Sequence, residues 1–217
     1  MIQAIVFDFD GVLADSEPLH LAAYEEVFSS LGVTLTREDY YSNFLGYSDA
    51  EVFRRIGERH GWRLDERRLA ALAAEKCRVF DEGISSRSVL YAGAASAVER
   101  LASSYPLGIA SGALKHEIEM VLRSERLDVH FRFIVAAGDT RESKPAPDPY
   151  VRAAELHGLP PSACLAIEDS RWGIVSAKGA GMKCVGITNT YPASELASAD
   201  RVIRSLEEFT ETLIRGL

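Results

Sequence analysis

Along this chain, short uniformly apolar runs alternate with stretches whose apolar residues recur at helical spacing. The runs are Ala4–Phe7, Leu107–Ala110, Phe133–Ala137, Cys164–Ile167, Cys184–Ile187 and Val202–Ile203. A strand buried on both faces has no polar side to alternate with, so it reads as a continuous apolar run. Such runs separated by helices predict an α/β fold built on a doubly wound parallel sheet.

The interval 16–88, between the first two runs, is far longer than the roughly dozen residues that one crossover helix needs. It reads as several helices. Leu21, Tyr24, Val27, Phe28 and Leu31 form one apolar stripe, and Gly32 follows as its stop. Thr36-Arg-Glu-Asp39 and Ser48-Asp-Ala-Glu51 have the form of capped helix starts. Leu64–Phe80 is rich in good helix formers. The expected organisation is an α/β core, residues 1–15 and 89–217, with a helical cap domain inserted at 16–88. Ser205-Leu-Glu-Glu208 is expected to open the last helix.

Composition narrows the partners. With 47% hydrophobic and 26% charged residues, a chain of 217 residues can bury a sizeable core. A net charge of −8 disfavours nucleic acid and anionic membrane, which reward excess positive charge. Cys77, Cys164 and Cys184 are scattered and odd in number, the usage of a reducing compartment. With neither a secretory leader nor a long apolar span expected, the reading is a cytoplasmic protein.

In an open parallel sheet, ligands sit beyond the C-terminal ends of the strands. Here the runs end at Asp8 and Asp10, at Ser111-Gly112, at Gly138-Asp139 with Lys144 close behind, and at Glu168-Asp169. Alternate residues of an extended chain share a face, so Asp8 and Asp10 can point into one site. Each feature alone is an ordinary turn or, for Glu168-Asp169, a helix cap. Together, four carboxylates would repel one another strongly in a cleft of low dielectric. A hard divalent cation relieves that repulsion, and an all-oxygen donor set suits Mg²⁺. A carboxylate can attack phosphorus to form an aspartyl phosphate. Phosphoryl transfer rests on positioning and charge neutralisation, which Lys144, the Ser111 hydroxyl and turn N–H groups can supply. Asp10 can then give a proton to the leaving oxygen and later take one from water.

Asp8-Phe-Asp-Gly-Val-Leu-Ala-Asp-Ser16, Ala110-Ser-Gly112, Ser143-Lys-Pro-Ala-Pro-Asp148 and Glu168-Asp-Ser170 resemble, in order, the four motifs of the haloacid dehalogenase superfamily. The match looks like its β-phosphoglucomutase and sugar-phosphatase branch and spans essentially the whole chain. Gly173–Met182 is similar to the helix after the fourth motif. The resemblance implies a Rossmann-like core with a helical cap. It implies Asp8 as nucleophile and Mg²⁺ ligand, and Asp10 as general acid/base whose carbonyl also reaches the metal. It implies Ser111, Gly112 and Lys144 as the phosphate site, Asp169 as a Mg²⁺ ligand, and Glu168 as a ligand directly or through water. On the cap it points to His20, Gly46 and Lys76 as specificity residues, against the plainer readings of a surface histidine and of one more lysine in an ordinary Lys/Arg-rich helix.

Where mutases of this branch carry Lys-Gly-x-Ser-Arg, this chain has Leu45-Gly-Tyr-Ser-Asp49. An acid at that position would repel a distal phosphate. The expected function is therefore a Mg²⁺-dependent phosphatase acting on a small phosphate monoester such as a sugar phosphate. A β-phosphoglucomutase-type mutase and a receiver-like phosphoacceptor domain are the alternatives. The expected partner is a small-molecule phosphate ester, with no nucleic acid and no membrane, on a monomer or weak homodimer.

Overall fold

A computed structural model describes residues 1–44, 47–86 and 88–217, with Ser85 and Ser86 described by backbone alone. The chain forms two compact units, Met1–Asp15 with Ser88–Leu217, and Ser16–Arg87. The first unit holds β1 (Ala4–Phe7), β2 (Leu107–Ala110), β3 (Phe131–Val135), β4 (Cys164–Glu168), β5 (Lys183–Ile187) and β6 (Arg201–Ile203). The second holds α1 (Glu17–Ser30), α2 (Arg37–Asn43), α3 (Asp49–Arg59) and α4 (Glu66–Ser86). Helices α5 (Ala94–Ala102), α6 (Lys115–Ser124), α7 (Asp148–His157), α8 (Arg171–Gly179) and α9 (Glu211–Arg215) return to the first.

The strands form one six-stranded sheet in the order β3-β2-β1-β4-β5-β6, parallel throughout. Strands β1, β2 and β4 are buried along their whole length, as their uniformly apolar runs require. The strand order reverses direction between β1 and β4, so the crevice beyond their C-terminal ends is the natural ligand position. The outgoing and returning segments pair beside it: Asp15 N–H donates to Val89 O at 2.8 Å and Tyr91 N–H to Leu13 O at 3.0 Å.

Two elements differ from the sequence expectation. Strand β3 runs Phe131–Val135 rather than Phe133–Ala137. As the edge strand it pairs only with β2, so exposed Arg132 is tolerated within it. It stops early because Asp139 takes the Ala136 N–H at 3.0 Å and Ala113 O takes the Ala137 N–H at 2.9 Å. The last helix does not open at Ser205. Leu206–Glu208 is a single 3₁₀ turn, and Arg100 donates to the Leu206 and Phe209 carbonyls at 3.3 and 2.8 Å, using acceptors that a continuing helix would need. Helix α9 instead starts after Thr210, whose hydroxyl accepts the Leu213 N–H.

The helical unit has its own core. The stripe Leu21, Tyr24, Val27 and Phe28 packs with Tyr40, Phe44, Val52, Phe53 and Ile56, and Leu31 packs partly buried against it. Tyr24 and Phe28 meet Phe53 with ring centroids 5.6 and 5.1 Å apart. Such aromatic pairs add about 0.5–1.5 kcal/mol each beyond simple burial. Gly32 takes φ +74° just after α1, a conformation open to glycine at little cost. Thr36 and Ser48 cap α2 and α3 as expected, accepting the Asp39 and Glu51 N–H groups at 3.1 and 3.4 Å. Among the described residues no helix is long and apolar enough to cross a membrane.

Candidate active site

The ladder continues one residue past β1, because Asp8 N–H donates to Ile167 O at 2.9 Å. Register pairs Phe7 with Ile167 of β4 and with Ile109 of β2. Asp8 therefore lies beside Glu168 on one side and at the level of Ala110, just before Ser111, on the other. The chain then turns tightly: Phe9 O accepts Leu13 and Ala14 N–H at 2.8 and 3.0 Å. Buried Phe9, Val12 and Leu13 anchor that turn from below. Gly11 has φ +75°, and a Cβ there would lie 1.9 Å from Asp169 Oδ2. Backbone and neighbour both demand glycine.

Lys144 closes the site. Its Nζ lies 3.0 Å from Asp8 Oδ1 and 2.6 Å from Glu168 Oε1. Asp8 Oδ1 also accepts the Phe9 N–H at 2.7 Å, which fixes the carboxylate plane. Glu168 is completely buried; Oε1 also accepts the Tyr150 hydroxyl at 2.7 Å, and Oε2 the Ser170 hydroxyl at 3.2 Å. Its carboxylate folds over Gly173, where a Cβ would lie 1.8 Å from Cδ. The helix-cap role goes to Ser170, whose Oγ accepts the Gly173 N–H at 3.1 Å, leaving Glu168 and Asp169 to the site.

The electrostatics follow from crowding. Burial, then Asp8, pushes the Glu168 carboxyl up despite Lys144. Burial, then Asp8 and Glu168, pushes Asp169 up to about 8. Burial pulls the Lys144 ammonium down, but Asp8 and Glu168 outweigh it and hold the charge on firmly. Oxygens of Asp8, Glu168 and Asp169 all lie within 4.8 Å of one another. Three buried carboxylates facing one ammonium are short of positive charge. That all-oxygen donor set fits a hard divalent cation such as Mg²⁺, which Asp8, Asp169 and Glu168 could hold.

Ser111 is buried, with its N–H on Val135 O at 2.9 Å and its Oγ accepting the Ala113 N–H at 3.2 Å. Gly112 is exposed and has no heavy atom within 4 Å of a would-be Cβ, leaving room for a ligand against its backbone. Asp10 sits half-buried on the same turn as Asp8. Burial, with Asp15, Asp169 and Asp10 nearby, pushes the Tyr91 phenol up. The loop after β5 braces the turn: Asn189 Nδ2 donates to Gly11 O at 2.8 Å, and Thr190 hydrogen-bonds Asp169.

The helical unit places two of its three expected specificity residues together. Lys76 is only 1% exposed. Its Nζ lies 2.7 Å from His20 Nδ1 and 3.1 Å from Asp49 Oδ1, with the Tyr24 and Phe80 ring centroids at 5.3 and 5.0 Å. Tyr24 donates to the same Asp49 oxygen at 2.5 Å. His20 stacks on Phe80 at 4.2 Å, and burial, then Lys76, pulls its imidazole down to about 3. Lys76 is therefore not an ordinary surface position of a Lys/Arg-rich helix. Gly46, with Leu45, lies outside the described residues.

Sequence reasoning missed Tyr150, Thr190 and Asn189. Tyr150 sits at an apolar position of α7, and the other two lie in a loop without a motif. Gly173 belonged to a recognised segment, but its role shows only once Glu168 is seen lying over it.

A model of the family described as haloacid dehalogenase-like hydrolase matches residues 5–187. Hexitol phosphatase B of Escherichia coli strain K12 is 32% identical over 224 residues, covering 99% of this chain and 97% of the relative. The crystal structure of β-phosphoglucomutase from Clostridium difficile superposes with a TM-score of 0.83 at 27% identity, over 100% of this chain and 96% of that one. A variant of CbbY from Rhodobacter sphaeroides, in complex with xylulose-(1,5)bisphosphate, superposes with a TM-score of 0.81 at 29% identity, over 96% of each chain.

Proposed function

The chain belongs to the haloacid dehalogenase-like hydrolases, and on that premise we propose that it removes phosphate from a polyol or sugar monophosphate through a phosphorylated Asp8. The observation that carries this reading is Lys144 bridging Asp8 and Glu168 at the ends of adjacent strands. A fixed cation next to an oriented carboxylate is what in-line attack on a phosphate dianion requires.

Asp8 attacks phosphorus, and the bond to the ester oxygen breaks. Asp10 gives that oxygen its proton, which suits an alcohol leaving group. Lys144, the Ser111 hydroxyl and the Gly112 N–H hold the phosphoryl oxygens. Asp10, now ionised, takes a proton from water as it attacks the aspartyl phosphate, releasing phosphate and restoring Asp8. When bound by Asp8, Asp169 and Glu168, Mg²⁺ supplies charge neutralisation for the transferring group.

Hexitol phosphatase supports a hydroxyl-rich leaving group, whereas the bisphosphate complex points to a substrate with a second phosphate. The helical unit favours the first. Lys76 is already neutralised by Asp49, so it offers no net charge to another phosphate. A receiver-like phosphoacceptor is set aside by the family match.

The test is a panel of hexitol and hexose monophosphates, phosphoglycolate, xylulose bisphosphate and β-glucose 1-phosphate with Mg²⁺. Phosphate release fastest from a polyol or hexose monophosphate, abolished by Asp8→Asn, is the expected result. No release from any monoester would overturn the reading, and conversion of β-glucose 1-phosphate to glucose 6-phosphate would make the protein a mutase.

A further inference from the structure

We propose that the Tyr150 hydroxyl is a positioning group for the phosphate-binding lysine, acting through Glu168. Tyr150 is completely buried, in a core cluster with Ala4, Val6, Ala166 and Ile174. A phenylalanine would fill the same space in that apolar wall. The hydroxyl is the exception, and it lands on Glu168 Oε1 at 2.7 Å, the oxygen that Lys144 uses at 2.6 Å.

Two donors therefore converge on one oxygen while Ser170 holds the other at 3.2 Å. Gly173 lies directly beneath the carboxylate. Glu168 cannot rotate without breaking one of these bonds in a fully buried setting, where an unmade bond is costly. Lys144 gains a fixed anchor in addition to Asp8. Its ammonium also lies 5.2 Å from the Tyr150 ring centroid, so ring and hydroxyl both frame it. A lysine is a point charge on a flexible stem, and its value to an in-line transfer depends on where it is held. Tyr150 meets none of the reacting atoms; it sets the position of one that does.

This inference rests on Lys144 being a phosphate ligand, and the test separates the two. Inorganic phosphate is used as an inhibitor of p-nitrophenyl phosphate hydrolysis, and Mn²⁺ binding is read by electron paramagnetic resonance in the same samples. Tyr150→Phe is expected to raise the phosphate Ki about tenfold while the Mn²⁺ Kd stays within twofold. 3-Fluorotyrosine incorporated at Tyr150, which keeps the hydroxyl, is expected to restore the wild-type Ki. In a Glu168→Gln background the effect of Tyr150→Phe is expected to shrink below threefold, because the two act as one unit.

A phosphate Ki unchanged in Tyr150→Phe would overturn the inference. So would Ki and Mn²⁺ Kd weakening together, an undiminished effect in the Glu168→Gln background, or failure of Tyr150→Phe to fold, which would make the hydroxyl a structural prop. A wild-type protein that neither hydrolyses the ester nor binds phosphate would bring down the phosphatase reading with it.

Discussion

Asp49 holds the ammonium of Lys76 at 3.1 Å inside the helical unit, with the lysine side chain 1% and the aspartate 20% exposed. The pair joins the N-terminus of α3 to the middle of α4, and the Tyr24 hydroxyl braces the same aspartate oxygen. The cation that the resemblance points to as a specificity residue is thus already paired within the helical unit.

Removing one partner of this pair is expected to be costly. Losing half of a buried ion pair costs roughly 3–5 kcal/mol, and the partial exposure of Asp49 lowers that to about 2–3 kcal/mol. Asp49→Ala should therefore shift the urea midpoint clearly downward. The double substitution Lys76→Met with Asp49→Leu should recover much of the loss. Equilibrium unfolding checks this, and a change below about 0.5 kcal/mol for Asp49→Ala would show that the pair is solvated.

On the proposal that Asp169 helps to hold Mg²⁺, metal binding should depend on pH. Its folded pKa, raised to about 8 by burial, Asp8 and Glu168, lies above the ordinary value of 3.8. A raised carboxyl means that the folded state keeps a proton the unfolded state has lost. Metal-free stability is therefore fullest below about pH 4 on this group's account, and falls as pH rises toward 8. Mg²⁺ held by Asp169 would displace that proton. Thermal melting should show Mg²⁺ stabilising more at pH 8 than at pH 6, and calorimetry in two buffers at pH 7 should count about one proton released per ion. Mg²⁺ binding without proton release would contradict the crowding of these carboxylates.

Gly173→Ala should separate folding from activity. The added Cβ would overlap the Glu168 carboxylate, forcing it off Lys144 and Tyr150. The gain in helix propensity, about 1 kcal/mol, offsets part of an overpacking cost of roughly 1–3 kcal/mol. The variant should stay folded by circular dichroism and melt within several degrees of wild type. Its kcat/KM should fall at least a hundredfold. Retained activity would mean that Glu168 can move freely.

Much of this was readable from residues alone, and the exceptions have physical reasons. Strands β1, β2 and β4 announce themselves because both faces are buried. The edge strand β3 announces only its apolar part from Phe133 on, since Arg132 ahead of it needs no apolar partner there. Asp8, Ser111, Lys144, Glu168 and Asp169 were legible because polar residues stand out where apolar strands end. Tyr150 was hidden: a buried tyrosine on a helix face looks like core until its hydroxyl is located. Lys76 was ambiguous because His20, its partner at 2.7 Å, lies 56 residues away along the chain.

If Asp8 carries the phosphoryl group, a phosphorylated enzyme should be trappable. Asp10→Ala keeps Asp8 and its Lys144 contact, and should lose most of its turnover because water is no longer deprotonated. With acetyl phosphate, whose leaving group needs no proton, Asp8 should still be phosphorylated and the acyl phosphate should accumulate. Acid quench, borohydride reduction and peptide mass spectrometry should then find homoserine at position 8. Unmodified Asp8 in a sample that still releases phosphate at the wild-type rate would contradict the account.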